Sequence, residues 1–251
     1  MRVLVVSDIH ANLAAFDAVL RETQGDRNAV LCLGDLVGYG PDPRECIARA
    51  AEVCAVVLGG NHDLAAAGAT DLSSFADHAR IAMEWTRPQL TPTDIAYLAT
   101  LPLNTEYEGI LLSHGSPENP IWGYIFSQDD AEFAFSQNDF SRCFFGHTHF
   151  PSFFIETKRD GESFYQIGYG EPDAVIETGR DGKQRDLVRF LLNPGSIGFP
   201  RDQADAHRVL RYHRAAARYA LFDTESGRWQ FKRLEYDMRK TAKRMKQLGL
   251  W

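Results

Sequence analysis

The sequence predicts an α/β fold, and three observations carry that reading. Over residues 1–63, short apolar runs (3–6, 30–33 and 53–58) alternate with segments of helical apolar spacing, the pattern of parallel β-α-β units. Each run stops at side chains that carry chemistry: Asp8 and His10, then Asp35, then Asn61, His62 and Asp63. After His149 the pattern turns to short strands separated by Gly-containing turns, which predicts a second, mainly antiparallel sheet.

The elements follow in order. Four apolar residues, three of them Val, make 3–6 a buried strand. On extended backbone, positions i and i+2 point the same way, so Asp8 and His10 are expected to converge just past its carboxyl end. Leu13, Phe16, Val19 and Leu20 predict a helix over 13–21, and the Pro-Asp-Pro start at 41–43 predicts another over 43–51. The run 53–58 reads as a third strand, delivering Asn61, His62 and Asp63.

Residues 64–104 carry no strong strand signal. An amphipathic stretch covers 74–85, and Thr91-Pro-Thr-Asp94 has the form of a capping box that opens a helix over 92–100. This helical segment is expected to shield the strand ends, with Phe75, Met83 and Trp85 read as core. A strand over 110–113 ends in His114, a helix is expected over 129–136, and the strand at Cys143 ends in Gly-His-Thr-His149. Strands at 152–157 and 163–168 flank Lys-Arg-Asp-Gly; an Asp181-Gly182 turn precedes a strand over 186–192; strands at 218–223 and 229–236 are joined by Glu-Ser-Gly. A basic helix closes the chain. Arg208, Arg211 and Arg214 stand at helical spacing and predict a short helix inside a small insertion at about 202–217. The sequence contains no repeat and no linker, so 1–251 is read as one domain.

Composition sets bounds on function. The 251 residues are 44% hydrophobic and 24% charged, as in an ordinary enzyme-sized globular protein. A net charge of −7 argues against a broad footprint for duplex nucleic acid. The basic cluster at the end (Lys232, Arg233, Arg239, Lys240, Lys243, Arg244, Lys246) reads as a solvated helix face. No apolar stretch reaches 18 residues, so no membrane partner is expected and the cytoplasm is the expected location. Cys32, Cys46, Cys54 and Cys143 lack C-x-x-C spacing and read as reduced core residues.

Five of the eight histidines (His10, His62, His114, His147, His149) fall at strand ends, beside Asp8, Asp35, Asn61 and Asp63. One such histidine is commonly structural; five with carboxylates point to a metal site. Carboxylate, imidazole and amide donors without thiolate suit divalent Mn, Fe, Co, Ni or Zn.

Asp8-x-His10, Gly34-Asp35, Gly60-Asn61-His62-Asp63, His114 and Gly146-His147-x-His149, in that order, resemble the calcineurin-like metallophosphoesterase superfamily. Similarity to a bacterial subgroup of small phosphoesterases and phosphodiesterases extends to Gly38-Tyr-Gly-Pro-Asp-Pro43, His114-Gly-Ser-Pro117 and Asn193-Pro-Gly-Ser196. The resemblance implies a four-layer αββα sandwich, two mixed β-sheets flanked by helices, with two divalent transition-metal ions at one end and Mn the first choice. By position it implies Asp8, His10 and His149 on one ion, Asn61, His114 and His147 on the other, and Asp35 bridging. Two cations about 3.5–4 Å apart need such a shared anion, and the pair activates a bridging water. His62 is implied as proton donor to the leaving oxygen, with Asp63 orienting its ring or raising its basicity.

Asn12 and Arg201 are candidate phosphate contacts; a salt bridge to Asp202 or Asp205 is the alternative for Arg201. The expected reaction is hydrolysis of a phosphodiester or a small, nucleotide-like phosphomonoester. A dinucleoside polyphosphate or a phosphoserine/threonine protein is the alternative substrate, a homodimer an alternative assembly, and a protein-binding scaffold the non-enzymatic alternative. One departure bears on substrate: Gly34-Asp-Leu-Val-Gly38 has Gly where many phosphatases carry an acid.

Overall fold

The computed structural model of the protein describes residues 1–179, 187–201 and 215–250. Two six-stranded mixed sheets pack face to face. In the first, β1 (Arg2–Val6), β2 (Ala29–Cys32) and β3 (Val56–Val57) run parallel, the late strand β11 (Ala215–Asp223) adds antiparallel to β1, and β12 (Arg228–Tyr236) adds antiparallel to β11, with β9 (Val175–Glu177) at the edge. The second has the order β4 (Asn104–Tyr107), β5 (Ile110–Ser113), β6 (Arg142–Phe144), β10 (Leu187–Pro194), β7 (Pro151–Arg159), β8 (Glu162–Tyr169). Its β5, β6 and β10 are parallel while its other three pairings are antiparallel, so it is mixed with the expected antiparallel majority; the C-terminal strands, however, belong to the first sheet.

Strand alternation builds the layers. Val3 and Val5 point into the inter-sheet core with Leu31, Leu112, Phe144, Leu192, Phe222 and Trp229, while Leu4 and Val6 point the other way. That outer face is covered by α1 (Leu13–Glu22) and α2 (Pro43–Val53) through Phe16, Val19, Cys46 and Ile47. On the far side of the second sheet, Cys143, Phe145, Phe154 and Leu191 pack under α6 (Gln128–Gln137) through Ala131, Ala134 and Phe135. Helix, sheet, sheet, helix is the layering expected. A buried ion pair ties α6 down: Arg189 donates to Glu156, to the Phe135 carbonyl (2.7 Å) and to the Asn138 carbonyl (3.0 Å).

The segment after β3 is helical: α3 (Asn61–Ala66), α4 (Asp77–Thr86) and α5 (Pro92–Thr100). α5 begins as its capping box dictates: Thr91 Oγ1 accepts from Asp94 N, and the Asp94 carboxylate accepts from Thr91 N at 2.8 Å. Three expectations are corrected. The 53–58 run is mostly not strand, because α2 runs through Val53 and only Val56–Val57 pair with β2. Asn61, His62 and Asp63 are the first turn of α3 and not the end of an extended strand. β4 was not expected; Glu108 and Gly109, both at positive φ (49° and 74°), form the two-residue turn that pairs it with β5. The Asp181-Gly182 turn and the helix expected around Arg208, Arg211 and Arg214 lie outside the described residues, while 215–217 already belong to β11. The four cysteines are free, with Cys32, Cys46 and Cys143 fully buried.

Candidate metal centre

Parallel pairing sends the carboxyl ends of β1, β2 and β3, and of β5, β6 and β10, to one edge of the sandwich, where loops of both sheets meet. The loops are laced together. Asp8 N donates to Gly34 O and His10 N to Asp35 O, both at 3.0 Å, and Gly146 N donates to His114 O at 2.8 Å. Asn193 Nδ2 donates to Gly146 O (2.7 Å) and Thr148 Oγ1 (3.1 Å), and Ser196 Oγ donates to Asp8 O (2.8 Å). The Asn-Pro-Gly-Ser motif thus joins the ligand loops of the two sheets.

That lacing is needed because the backbone is strained. Asp8, His10, Asp35, His147 and His149 all have positive φ, between 49° and 64°. Each non-glycine residue there costs on the order of 1–3 kcal/mol, and such outliers persist where the surroundings over-determine them. The strain also corrects the extended-strand argument. Asp8 and His10 converge because left-handed residues turn the chain back, and His147 and His149 diverge into different clusters.

Two clusters of donor atoms, each spanning no more than 4.8 Å, stand out among the described residues: Asp8, His10, Asp35 and His149, and Asp35, His114 and His147. Asp35 is common to both. Asn61 joins the second through its Oδ1, 3.3 Å from His114 Nε2. All seven expected ligands are buried at this edge.

The hydrogen bonds behind the rings decide which nitrogens face inward. His10 Nδ1 meets the Val37 carbonyl at 3.0 Å, His114 Nδ1 the Leu33 carbonyl at 2.8 Å, and His149 Nδ1 the Phe199 carbonyl at 2.6 Å. A carbonyl only accepts, so each Nδ1 carries a hydrogen and, in the neutral ring that binds a cation, each Nε2 presents a lone pair to the centre. His10 Nε2 and His149 Nε2 then lie 3.0 Å apart, two lone pairs face to face. Asp8 Oδ1 lies 3.3 Å from His149 Nε2, and buried Asp8 Oδ1 and His147 Nε2 have no hydrogen-bond partner. Buried acceptors crowded without a donor fit a cation and little else.

The electrostatics agree. Burial opposes ionisation of Asp8 and Asp35, but the imidazoles around them, His149 for Asp8 and His114 for Asp35, hold both well below the carboxylate range. Burial likewise pushes His147 down to about 3, leaving it neutral. Burial also opposes charge on His114, yet Asp35 beside it raises that ring to about 9; a bound cation would displace this proton.

His62 lies at the rim, its backbone N–H donating to Asp35 Oδ1 at 2.9 Å. Its ring is boxed by His10, Tyr39 and Phe75 at centroid distances of 4.8, 4.9 and 5.0 Å, and burial pushes it down to about 4. The expectation for Asp63 is corrected. Its carboxylate accepts from Gly60 N (3.0 Å), Leu36 N and Val37 N (both 3.2 Å), while His62 Nδ1 has no partner. At the third position of α3, Asp63 points back over the helix start, so it holds the Asp35 loop and not the His62 ring. Asn12 is also reassigned: Oδ1 caps α1 by accepting from Ala15 N (3.2 Å), and Nδ2 donates to Gly198 O (3.2 Å) and Tyr236 OH (2.8 Å), which occupies its polar atoms. Arg201 does line the pocket and hydrogen-bonds Tyr39.

The pocket over the centre has a volume of about 320 Å³. Sequence reasoning missed part of its wall: Tyr39, His78, Trp122 and Tyr124 line it, and so does half-buried Phe75, which was read as core. Tyr39 lies within the Gly38-Tyr-Gly-Pro-Asp-Pro43 motif; Trp122 and Tyr124 sit in an irregular loop where periodicity gives no signal.

Fold and donor set together define the class, a metal-dependent hydrolase of phosphoester bonds. The comparisons with known proteins give the family. A family model described as calcineurin-like phosphoesterase matches residues 1–151, and the chain belongs to that family. It is 30% identical over 249 residues to an uncharacterized protein of Methanocaldococcus jannaschii, covering 97% of this chain and 91% of that one. Among solved structures it is similar to a metallophosphoesterase from Sphaerobacter thermophilus, with a TM-score of 0.79, 34% identity, and coverage of 100% of this chain and 95% of that one. A hypothetical protein from Pyrococcus horikoshii shares the fold at a TM-score of 0.71 and 23% identity, over 100% and 94% of the two chains. No helix among the described residues is long and apolar enough to cross a membrane.

Proposed function

We propose that the protein hydrolyses a phosphodiester or a small phosphomonoester at a dinuclear centre, with Asp8, His10 and His149 on one ion, Asn61, His114 and His147 on the other, and Asp35 shared. The observation that carries this reading is the single carboxylate common to both donor clusters. When bound, a pair of divalent ions clamps phosphoryl oxygens and makes water nucleophilic at neutral pH. The donor set suits Mn first, with Fe, Co, Ni or Zn as alternatives.

The chain's own residues supply the rest. The Val37, Leu33 and Phe199 carbonyls fix His10, His114 and His149 in the tautomer that leaves Nε2 free. His62, at the mouth of the pocket beside Asp35, is the proton donor to the leaving oxygen, a role worth typically 10²–10⁴-fold. The negative charge of an incoming phosphate favours its imidazolium form. Arg201 lies on the pocket wall where its guanidinium can neutralise a phosphate oxygen. The cytoplasm is the proposed location, and residues 1–251 are taken as one domain, supported by the core the two sheets share.

The test is a panel assayed with added Mn: bis-p-nitrophenyl phosphate, alkyl diesters, monoesters, a dinucleoside tetraphosphate and a phosphoserine peptide. Turnover of the diesters or small monoesters that chelator abolishes and Mn restores is expected. Turnover of the phosphopeptide or the tetraphosphate alone would overturn the substrate assignment.

A further inference from the structure

The proposed phosphoester chemistry leaves one wall of the pocket unexplained. Beside the metal ligands, Phe75 and Trp122 meet edge to face at 5.5 Å, and Tyr124 is stacked with both the His147 ring (4.1 Å, 29°) and the Phe126 ring (5.4 Å, 12°). Tyr124 is 45% exposed and Trp122 only half-buried, although both are large rings that a fold ordinarily tucks away.

Their loop is built to present them. Gly115 N donates to Pro120 O (2.8 Å), Ser116 N to Gly123 O (3.0 Å), and Gly123 N to Asn119 O (2.9 Å). Asn119 Oδ1 accepts from Trp122 N at 3.2 Å. Directly after Tyr124, Ile125 is 1% exposed and plugs into the core under α6, anchoring the loop from below. A loop hydrogen-bonded to itself and nailed down at its end holds its rings without paying ordering entropy when a ligand arrives. Ser74 and His78 add polar groups on the same pocket wall, of the kind that bond the edge of a heterocycle.

We propose that this aromatic wall takes the nucleobase of a nucleotide substrate, with Trp122 as the ring it stacks against and Tyr124, itself stacked with His147 and Phe126, as the wall beside it. The inference rests on the phosphoesterase reading of the centre and names the substituent that the phosphate carries. A pocket of about 320 Å³ is at the small end of ligand sites, enough for a planar group beside a phosphate and too little for a folded peptide segment. Stacking of a base on aromatic side chains is sequence-tolerant, so the wall selects a base over none more than one base over another.

The experiment compares KM for adenosine 5′-phosphate and its methyl diester with KM for ribose 5-phosphate and its methyl diester, Mn present throughout. Phenyl phosphate is included as a planar group without a heterocyclic edge. The expected result is a KM for the base-bearing esters roughly 5- to 100-fold lower than for their base-free counterparts. That ratio collapses toward one in Trp122→Ala and is kept in Trp122→Phe, whose ring still stacks. Calorimetric binding of adenosine, lost in Trp122→Ala, reads the base site independently of any hydrolysis. A wild-type ratio near one, a ratio untouched by Trp122→Ala, or phenyl phosphate matching the nucleotides would overturn the assignment. Failure to cleave any ester while adenosine still binds would instead count against the phosphoesterase reading and leave the base site standing.

Discussion

Replacing Gly38 by alanine should disable His62 without touching a metal ligand. Gly38 has φ +90°, and a Cβ built there would lie 2.3 Å from His62 Nδ1 and 3.1 Å from its Cγ, well inside any tolerated contact. The ring would have to retreat by roughly 1 Å to reach ordinary contact, and it cannot do so freely, because His10, Tyr39 and Phe75 enclose it. A misplacement of that size can cost on the order of 10²-fold in rate. The backbone strain adds about 1–2 kcal/mol, or a Tm lower by roughly 2–8 °C. The assay is turnover of two esters at saturating Mn, with metal content measured alongside. An alkyl ester, whose leaving oxygen needs a proton, should slow by 10²-fold or more. A p-nitrophenyl ester, which departs without one, should slow far less. Wild-type turnover of the alkyl ester by folded, metal-loaded Gly38→Ala would refute His62 as donor.

Gly60→Ala makes the complementary case, since its Cβ would fall 2.1 Å from Asp35 Oδ1; elemental analysis should find metal content reduced together with activity. Asp63→Ala should strip the acceptor from the Gly60, Leu36 and Val37 N–H groups and destabilise the fold by about 1–3 kcal/mol for each group left unpaired in denaturant unfolding. Glu156→Ala leaves the Arg189 guanidinium buried without its carboxylate, and urea unfolding should show a loss of about 3–5 kcal/mol at unchanged metal stoichiometry. Thr91→Ala removes the cap of α5 and should cost about 1 kcal/mol by the same measurement.

The fold was legible where local chemistry and tertiary structure agree. The Thr91 box placed α5 to the residue, and the unbroken apolar run 3–6 forecast a buried strand, which the structure covers on both faces, Val3 and Val5 on one and Leu4 and Val6 on the other. It was less legible where a short apolar run has two uses, as at 53–58, which is divided between the end of α2 and a two-residue strand. The seven donors were legible because each closes an apolar run. Their convergence was expected for the wrong reason, since left-handed backbone at Asp8, His10, His147 and His149, invisible in residue type, does what pleating was expected to do. Asn12 and Asp63 stand beside ligands in the sequence, but a helix cap and a helix first turn claim their polar atoms. The aromatic wall went unread because it is assembled from separate loops.

The most direct test of the account counts metal ions per chain, by elemental mass spectrometry on protein loaded with Mn, for the wild type and for Asp35→Asn. A carboxylate shared by both donor sets predicts two ions per chain in the wild type and loss of both, or weak retention of one, in the variant. A single ion in the wild type, or two ions held as tightly by Asp35→Asn, would contradict it.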